Sequence, residues 1–304
     1  MMPLEGDHSG HLVSIIIPNL NSRDTISDCL SSLEAQTYSN FEVILADAGS
    51  SDGCLDTIQN SFPWVRILVT PGSGIGESIN AGINVAKGEI IIFDLNSDEV
   101  VDSVWLESIV NLLETRADVG VVAGKRYIFG SNLLDSAGGR ICRLTGTVPA
   151  VGRYKKDGAA FESPREVDYS PVIATRADVI QKVGLCDTAY RVYYEDTDFC
   201  YRVKKAGFKI LFLPEAKHYH RMSSTIGKSS YSKLYYEKRN RLRFILKNFP
   251  PLYMLTAFSL HLVILTPLEL SLFLIRGNRR AARVITSAVI WNVKNVTATL
   301  QSRY

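Results

Sequence analysis

The chain has 304 residues, 46% hydrophobic and 21% charged, enough to bury one large core or two smaller ones and too apolar for global disorder. A net charge of +3 argues against a generally basic nucleic-acid binder, although Lys228 to Lys247 carries seven Lys or Arg against one acid, Glu237. The five cysteines, Cys29, Cys54, Cys142, Cys186 and Cys200, are scattered without a C-x-x-C pair, so they indicate neither a disulfide framework nor a zinc site, and a reducing compartment is expected. The N-terminal MMPLEGDHSGHL lacks the basic start and apolar stretch of a signal peptide, which places the catalytic part in the cytoplasm as an expectation.

Leu12 to Ile17 is a continuous β-branched run stopped by Pro18, the pattern of a buried parallel strand. Ile26, Cys29, Leu30 and Leu33 then mark one face of a helix. A second strand, Phe41 to Ala46, ends in the loop Asp47-Ala-Gly-Ser-Ser-Asp-Gly53; a short helix (Leu55, Ile58, Phe62) and a third strand (Val65 to Val69) follow. Gly72 to Gly76 reads as a flexible loop, Ile79, Ile83 and Ala86 as a helix, and Ile90 to Leu95 as a fourth strand leading into Asn96-Ser-Asp-Glu99. Strand and helix alternating through short connections predict a parallel α/β sheet, whose ligands lie outside the carboxyl ends of its strands. Asn19, Asp47 and Asp98 all fall just past strand ends.

From about residue 125 to 170, six glycines interrupt a polar segment that predicts long loops or short strands. Val172 to Val183 is expected to be helical, and Phe208 to Leu213 a strand closed by Pro214. Leu252 to Ile275 is 24 residues long with one carboxylate, one His and Pro267. That length spans a bilayer, but basic clusters flank it on both sides: Lys238, Arg239, Arg241 and Arg243 before it, Arg276, Arg279, Arg280 and Arg283 after it. A kinked helix or helical pair in the membrane interface satisfies both clusters; a spanning helix and a segment buried in protein are the alternatives.

Several loops carry chemistry. PGSGIGES is not a dinucleotide fingerprint, because Glu77 occupies the last glycine position and the loop follows the third strand. Asp52 suits a cap on the next helix, whereas Asp47 ends a buried strand, where a carboxylate needs partners such as the N–H of a nucleobase. Asn96-Ser-Asp98-Glu99 needs donors or a cation; a divalent ion bridging phosphates fits a site with one or two protein carboxylates. In VYYEDTDFCYR, Glu195, Asp196 and Asp198 crowd three carboxylates into four positions, as a helix start or an active site would.

VSIIIPNLN, FEVILADAGSSDG, GIGESINAGINVAKGEIIIFDLNSDEV, LDSAGGRI, VGLCD and YYEDTDFCYRVKKAGFKILFLPEAKHYH, in this order, resemble glycosyltransferase family 2 over about residues 12 to 248. The resemblance implies a GT-A fold, a mixed and mostly parallel sheet flanked by helices, here with a C-terminal hydrophobic helical extension. Its extent gives a transferase domain at 12–248 (nucleotide-binding half 12–100, acceptor-binding half 101–248) after a tail at 1–11, and the apolar run makes 249–304 an expected membrane-associated helical region. The resemblance implies nucleotide contacts from Pro18, Asn19, Asn21, Asp47, Asn80 and Asn96. Asp98 and His220 would hold Mg²⁺ or Mn²⁺ on the diphosphate of a UDP-, dTDP- or GDP-sugar, Asp196 would be the catalytic base of an inverting transfer, and Glu195 its helper. Asn96 departs from the family's D-x-D pattern at its first position, and one extra residue stands in FDLN. The stretch from Asp135 to Asp168 resembles the variable acceptor region of rhamnosyl- and other hexosyl transferases.

The expected partners are therefore a nucleotide sugar, a lipid-linked or glycan acceptor and the cytoplasmic membrane surface, with no nucleic acid. SKLYYEKRNRLRFILKN is taken as a basic amphipathic helix with a solvated face that orients the protein on that surface. A nucleotidyltransferase is the competing enzyme, but PNLNSRD stands where its basic glycine-rich loop belongs; a non-catalytic membrane scaffold is the other alternative. Phe199, Val203 and Ala206 place a helix start near Thr197, which makes Asp198 a first-turn residue four positions before Arg202.

Overall fold

A computed structural model describes residues 10–221 and 231–303; the tail at 1–9 and Lys228 of the basic run lie outside the described residues. The first half alternates β1 (Val13–Asn19), α1 (Ile26–Glu34), β2 (Phe41–Asp47), α2 (Cys54–Ser61), β3 (Arg66–Val69), α3 (Ile75–Val85) and β4 (Ile90–Phe93). Then come β5 (Glu99–Val101), α4 (Trp105–Thr115), β6 (Val119–Ile128), β7 (Leu134–Ser136), β8 (Arg165–Val167), β9 (Ile173–Arg176), α5 (Ala177–Val183), α6 (Glu195–Lys205) and β10 (Lys209–His220). The C-terminal part is helical: α7 (Tyr231–Asn248), α8 (Pro251–Leu260), α9 (Thr266–Ile275), α10 (Arg279–Lys294) and α11 (Val296–Gln301).

The ten strands among the described residues join one mixed sheet, with main order β3-β2-β1-β4-β9-β6-β10-β5, β7 pairing β6 and β8 pairing β10. The four strands β3, β2, β1 and β4 run parallel, as do β6 and β10, while β9 and β5 run against their neighbours. Alternation along β1 explains the layering: Ile15 and Ile17 enter the core under α1, α2 and α4, and Ile16 the core under α3, α5 and α6. Each fully buried Ile contributes about 1.5–3 kcal/mol over an exposed one.

The structure departs from expectation in three strands. β1 runs through Pro18 to Asn19: Pro18 pairs with Ala46 of β2, but the β4 ladder has already ended at Ile16–Phe93, so no donor is missed on that side. The first part of the expected helix at Val172–Val183 is instead β9, where the run Ile173, Ala174 and Thr175 lies antiparallel to β4 and only Ala177–Val183 is helical. β10 continues past Pro214 because the proline falls in the irregularity between Leu213 and Lys217.

The larger correction concerns α7. Its basic side chains do not form a solvated face: Lys238, Arg239, Arg243 and Lys247 are all buried. Lys247 pairs with Asp187 and Asp198 at 2.8 and 2.9 Å, Arg243 with Asp187 at 2.8 Å, and Lys238 with Glu269 at 2.6 Å. The charge run is the internal counter-charge of acidic residues at Asp187 and Asp198, with Phe244, Ile245 and Phe249 packing on Tyr190 and Tyr194 between them.

Pro251–Ile275 is a nearly continuous helix, with a wide turn at His261–Leu265 just before Pro267. Among the described residues it is the one helix long and apolar enough to cross a membrane, with mean hydropathy 1.9 and only 11% burial. Leu252, Leu255, Val263, Leu268 and Ile275 are exposed along it.

Candidate active site

The carboxyl ends of β1, β2 and β4 carry the first group. Asn19 and Asp47 lie opposite each other in the β1–β2 register, and the Asn19 amide donates to Asp47 Oδ1 at 2.8 Å. Asp47 Oδ1 also accepts from the Ser50 hydroxyl, and Oδ2 from the N–H groups of Gly49 and Ser50 at 3.0 and 2.9 Å. Burial works to raise this carboxyl, but those donors outweigh it and hold it below the ordinary range. Asn21, in the left-handed region at φ 52°, accepts from the Ser51 N–H, and its own N–H donates to Ser50. Pro18 is half-buried beside them. Asp52 accepts from the Cys54 N–H, the first of α2, at 3.1 Å, while the N-cap position itself is Gly53. Asn80, on α3, spends both ends of its amide on the backbone of Cys186, at 2.9 Å each.

The turn after β4 and the end of β10 form the second group. Glu99 is fully buried and accepts from Arg126 (2.8 Å), Asn96 (3.0 Å) and His218 Nδ1 (2.7 Å). Asp98 Oδ2 lies 3.6 Å from His220 Nε2, and His220 Nδ1 is 3.1 Å from Asp135 Oδ2. Residues 218 and 220 project from the same face of β10, so one strand supplies both imidazoles. Among the described residues no cluster of three or more His, Cys, Asp or Glu is arranged to hold a metal by itself. Asp98 and His220 are the residues that would hold a divalent ion here, together with oxygens from a ligand.

The third group begins α6, two residues earlier than expected. Tyr193 and Tyr194 have φ of 64° and 72°, and the chain then enters the helix with Glu195 and Asp196 in its first turn. Asp196 Oδ1 accepts from the Thr197 N–H at 2.6 Å, and among the described residues no other residue donates to Oδ2. Glu195 is buried, with Oε2 unpartnered. Burial raises both carboxyls above their ordinary range, and Asp196 raises Glu195 further. Asp198 points the other way: it is fully buried and meets Arg202 Nε at 2.9 Å, the Tyr190 hydroxyl at 3.1 Å and the Asn248 amide at 2.8 Å.

Three residues that sequence reasoning passed over join the groups. Arg126 is buried with Glu99, Asp135, Asp98 and Asp94 as its charge partners, and its charge also acts on Asp196. Asp135 takes His220 and, at 3.5 Å each, Arg126 and Arg153. Asp94, at φ 66°, is held well above the ordinary range by burial and then by Glu195 and Asp196. Arg126 and Asp94 had a visible signal as charges inside otherwise apolar runs, although what they meet is set by long-range pairing; Asp135 had none.

Residues 14–183 match the model of Glycosyl transferase family 2. The chain belongs to glycosyltransferase family 2. An uncharacterized glycosyltransferase of Nostoc sp. is 29% identical over 215 residues, 69% of this chain and 64% of that one. An uncharacterized protein of Sinorhizobium fredii is 30% identical over 260 residues, 80% of this chain but 27% of that one. This chain thus spans between about a quarter and two thirds of the length of these curated relatives. Among solved structures, a mannosyltransferase of Pyrobaculum calidifontis in complex with GDP-Man and Mn²⁺ aligns with TM-score 0.56 at 15% identity, over 97% of this chain and 80% of that one. TarS of S. aureus gives the same TM-score at 17% identity, over 95% and 55%. Both show the GT-A fold in which this family-2 chain places its three groups.

Proposed function

We propose that this family-2 protein is an inverting, metal-assisted glycosyltransferase that moves a sugar from a nucleoside-diphosphate sugar to a hydroxyl of a lipid-linked or glycan acceptor. The observation that carries the reading is the placement around Arg126 of two unlike acidic sites: Asp98 with His220, and Asp196 with an oxygen left open. The nucleoside lies over Pro18, Asn19 and Asn21, where a base N–H reaches Asp47 by displacing the Ser50 hydroxyl. Asn80 braces the neighbouring 186 loop, and Asn96 steadies the acidic turn through Glu99. A divalent ion held by Asp98 and His220 would supply Lewis-acid stabilisation of the leaving diphosphate.

The chain's own groups do the rest. Asp196 Oδ2 takes the acceptor hydroxyl's proton as the new bond to the anomeric carbon forms and the bond to the diphosphate oxygen breaks on the opposite face, which inverts the centre. Glu195, protonated by its burial and its neighbour, donates to the acceptor or to Asp196. Arg126 keeps the surrounding carboxylates from repelling the incoming diphosphate.

The exposed apolar helix supports a membrane surface as the acceptor's location. His261 Nε2 reaches the Thr145 carbonyl at 2.7 Å and Glu269 reaches Lys238, so α8 and α9 are tied along the protein and suit an interfacial position better than a spanning one. Five unpaired cysteines fit the cytoplasmic side. Incubation with a panel of nucleotide sugars and Mn²⁺ should release nucleoside diphosphate, and Asp196→Asn should abolish the release. Pyrophosphate as the product would overturn the reading in favour of a nucleotidyltransferase.

A further inference from the structure

The segment that delivers Glu195 and Asp196 is strained. Arg191, Tyr193 and Tyr194 all have positive φ, 63°, 64° and 72°, and none is glycine. Each such residue is energetically unfavourable and persists only where its surroundings over-determine it. Those surroundings are three consecutive residues of α7. Arg239 Nη2 donates to the carbonyls of Ala189 and Tyr190 at 2.6 and 2.7 Å. Asn240 Nδ2 lies 2.9, 2.6 and 2.8 Å from the carbonyls of Tyr190, Val192 and Tyr193. Arg241 Nε donates to the Tyr194 hydroxyl at 3.2 Å.

An amide has only two N–H groups, so three carbonyls share them, and the loop must curl around Asn240 to bring them together. The amide cannot flip: Arg239 Nε donates to Asn240 Oδ1 at 2.7 Å and fixes the nitrogen toward the loop. Asn240 is fully buried, and no water is needed to complete its bonds. From the other side, the Ile75 N–H donates to the Arg191 carbonyl at 2.8 Å. The loop is clamped between α3 and α7, and α6 begins where the clamp ends.

We propose that Asn240, oriented by Arg239, is a positioning residue for the transfer step: it imposes the left-handed turn that aims Glu195 and Asp196 at the acceptor. The inference rests on Asp196 being the base. It gives the buried face of α7 a catalytic use that the charge pattern of that helix does not reveal. Losing the clamp lets the turn relax toward ordinary backbone, which rotates the first turn of α6 while the donor groups on β1, β2, β4 and β10 stay in place. A displacement of about 1 Å at a reacting group costs on the order of a hundredfold in rate.

The test compares Asn240→Ala with Asn292→Ala in the full chain. Asn292 also binds α7, donating to the Arg239 carbonyl at 2.9 Å, but makes no bond to the loop, so it serves as a control for simple loosening of the helix. In Asn240→Ala, kcat per folded molecule should fall about a hundredfold while the donor KM and the affinity for nucleoside diphosphate with Mn²⁺ stay within about twofold. Hydrogen exchange should quicken at the amides of 190–198. Asn292→Ala should lower Tm yet keep kcat. If Asn240→Ala does not fold, Arg239→Lys, which keeps the charge but loses the fork and the bond to Asn240, should show the same split at about a tenfold loss.

An unchanged kcat, a KM that rises as kcat falls, an equal loss in Asn292→Ala, or unaltered loop exchange would each overturn the proposal. Should the wild-type protein transfer no sugar at all, the transferase reading fails, and the exchange measurement still decides whether Asn240 holds the loop.

Discussion

Glu195, Asp196 and Asp198 stand within four residues of one another and face three different environments. Asp196 keeps one oxygen open, Glu195 is buried beside it, and Asp198 is locked among Arg202, Lys247, Asn248 and Tyr190. Substitutions should therefore separate cleanly. Asp196→Asn should lower kcat by about 10²–10⁴, the span ordinary for losing a general base, without lowering Tm, because it removes a buried charge that raises its neighbours. Asp198→Ala takes a carboxylate away from two buried cations, Arg202 and Lys247, and should cost about 3–5 kcal/mol in denaturant unfolding. Asp94 makes a third case. Its folded pKa is raised by burial and by Glu195 and Asp196, so the stability it allows is full below the ordinary carboxylate pKa and is lost as pH rises through the raised value. Asp94→Asn removes that loss. Its Tm should match wild type in acid and exceed it increasingly toward neutral pH, by about 2–4 °C per kcal/mol recovered. A constant offset across pH would mean that Asp94 is not the titrating group.

At the scale of elements, close packing decides which features could be foreseen. β1, β2 and β4 were legible because they are buried on both faces, and a continuous β-branched run of that length suits little else than a buried strand. β9 was not, since Ile173-Ala-Thr-Arg176 runs straight into α5 and the joint has no punctuation; only pairing with β4 and β6 selects the strand. α7 misled for a different reason. A row of Lys and Arg looks solvated until its acids are found, and Asp187 and Asp198 are 49 or more residues away from Lys247 in sequence. The nucleotide and acidic turns were visible as motifs, whereas Arg126 and Asp135 became site residues only once β6, β7 and β10 met. Gly74 shows the same dependence on long-range contact. A Cβ there would stand 2.7 Å from the Arg191 carbonyl oxygen and 3.0 Å from its Cα, both backbone atoms that cannot swing away. Gly74→Ala should push α3 off the 188–194 loop, costing about 1–3 kcal/mol and lowering kcat more than donor affinity. A variant with wild-type Tm and kcat would show that the two segments slide apart freely.

For the whole molecule, the balance lies between a catalytic body with buried counter-charges and an apolar helix with its side chains in the open. Pro251–Ile275 is about 38 Å long at 1.5 Å per residue, enough to cross a bilayer. Crossing would carry Glu269 into hydrocarbon or pull it from Lys238, and would separate His261 from Thr145. Lys238 is buried although Glu269 is 40% exposed, and taking that carboxylate from the buried ammonium is unfavourable; in the interfacial position proposed above the helix would lie flat with Val263, Leu268 and Ile275 toward lipid and its tethered side on the protein. The same posture would put the 142–147 loop, which receives the Tyr194 hydroxyl at Gly146 and His261 at Thr145, at the lipid boundary beside the turn before Glu195. A hydroxyl at the head of a lipid-borne acceptor would then meet Asp196 without leaving the surface. The full chain should float with anionic vesicles and be released by alkaline carbonate, and Val263→Glu with Leu268→Glu should abolish flotation while leaving transfer to a soluble acceptor within about twofold. Retention in the carbonate pellet would instead require a spanning helix, and with it a rearranged contact between α9 and Lys238.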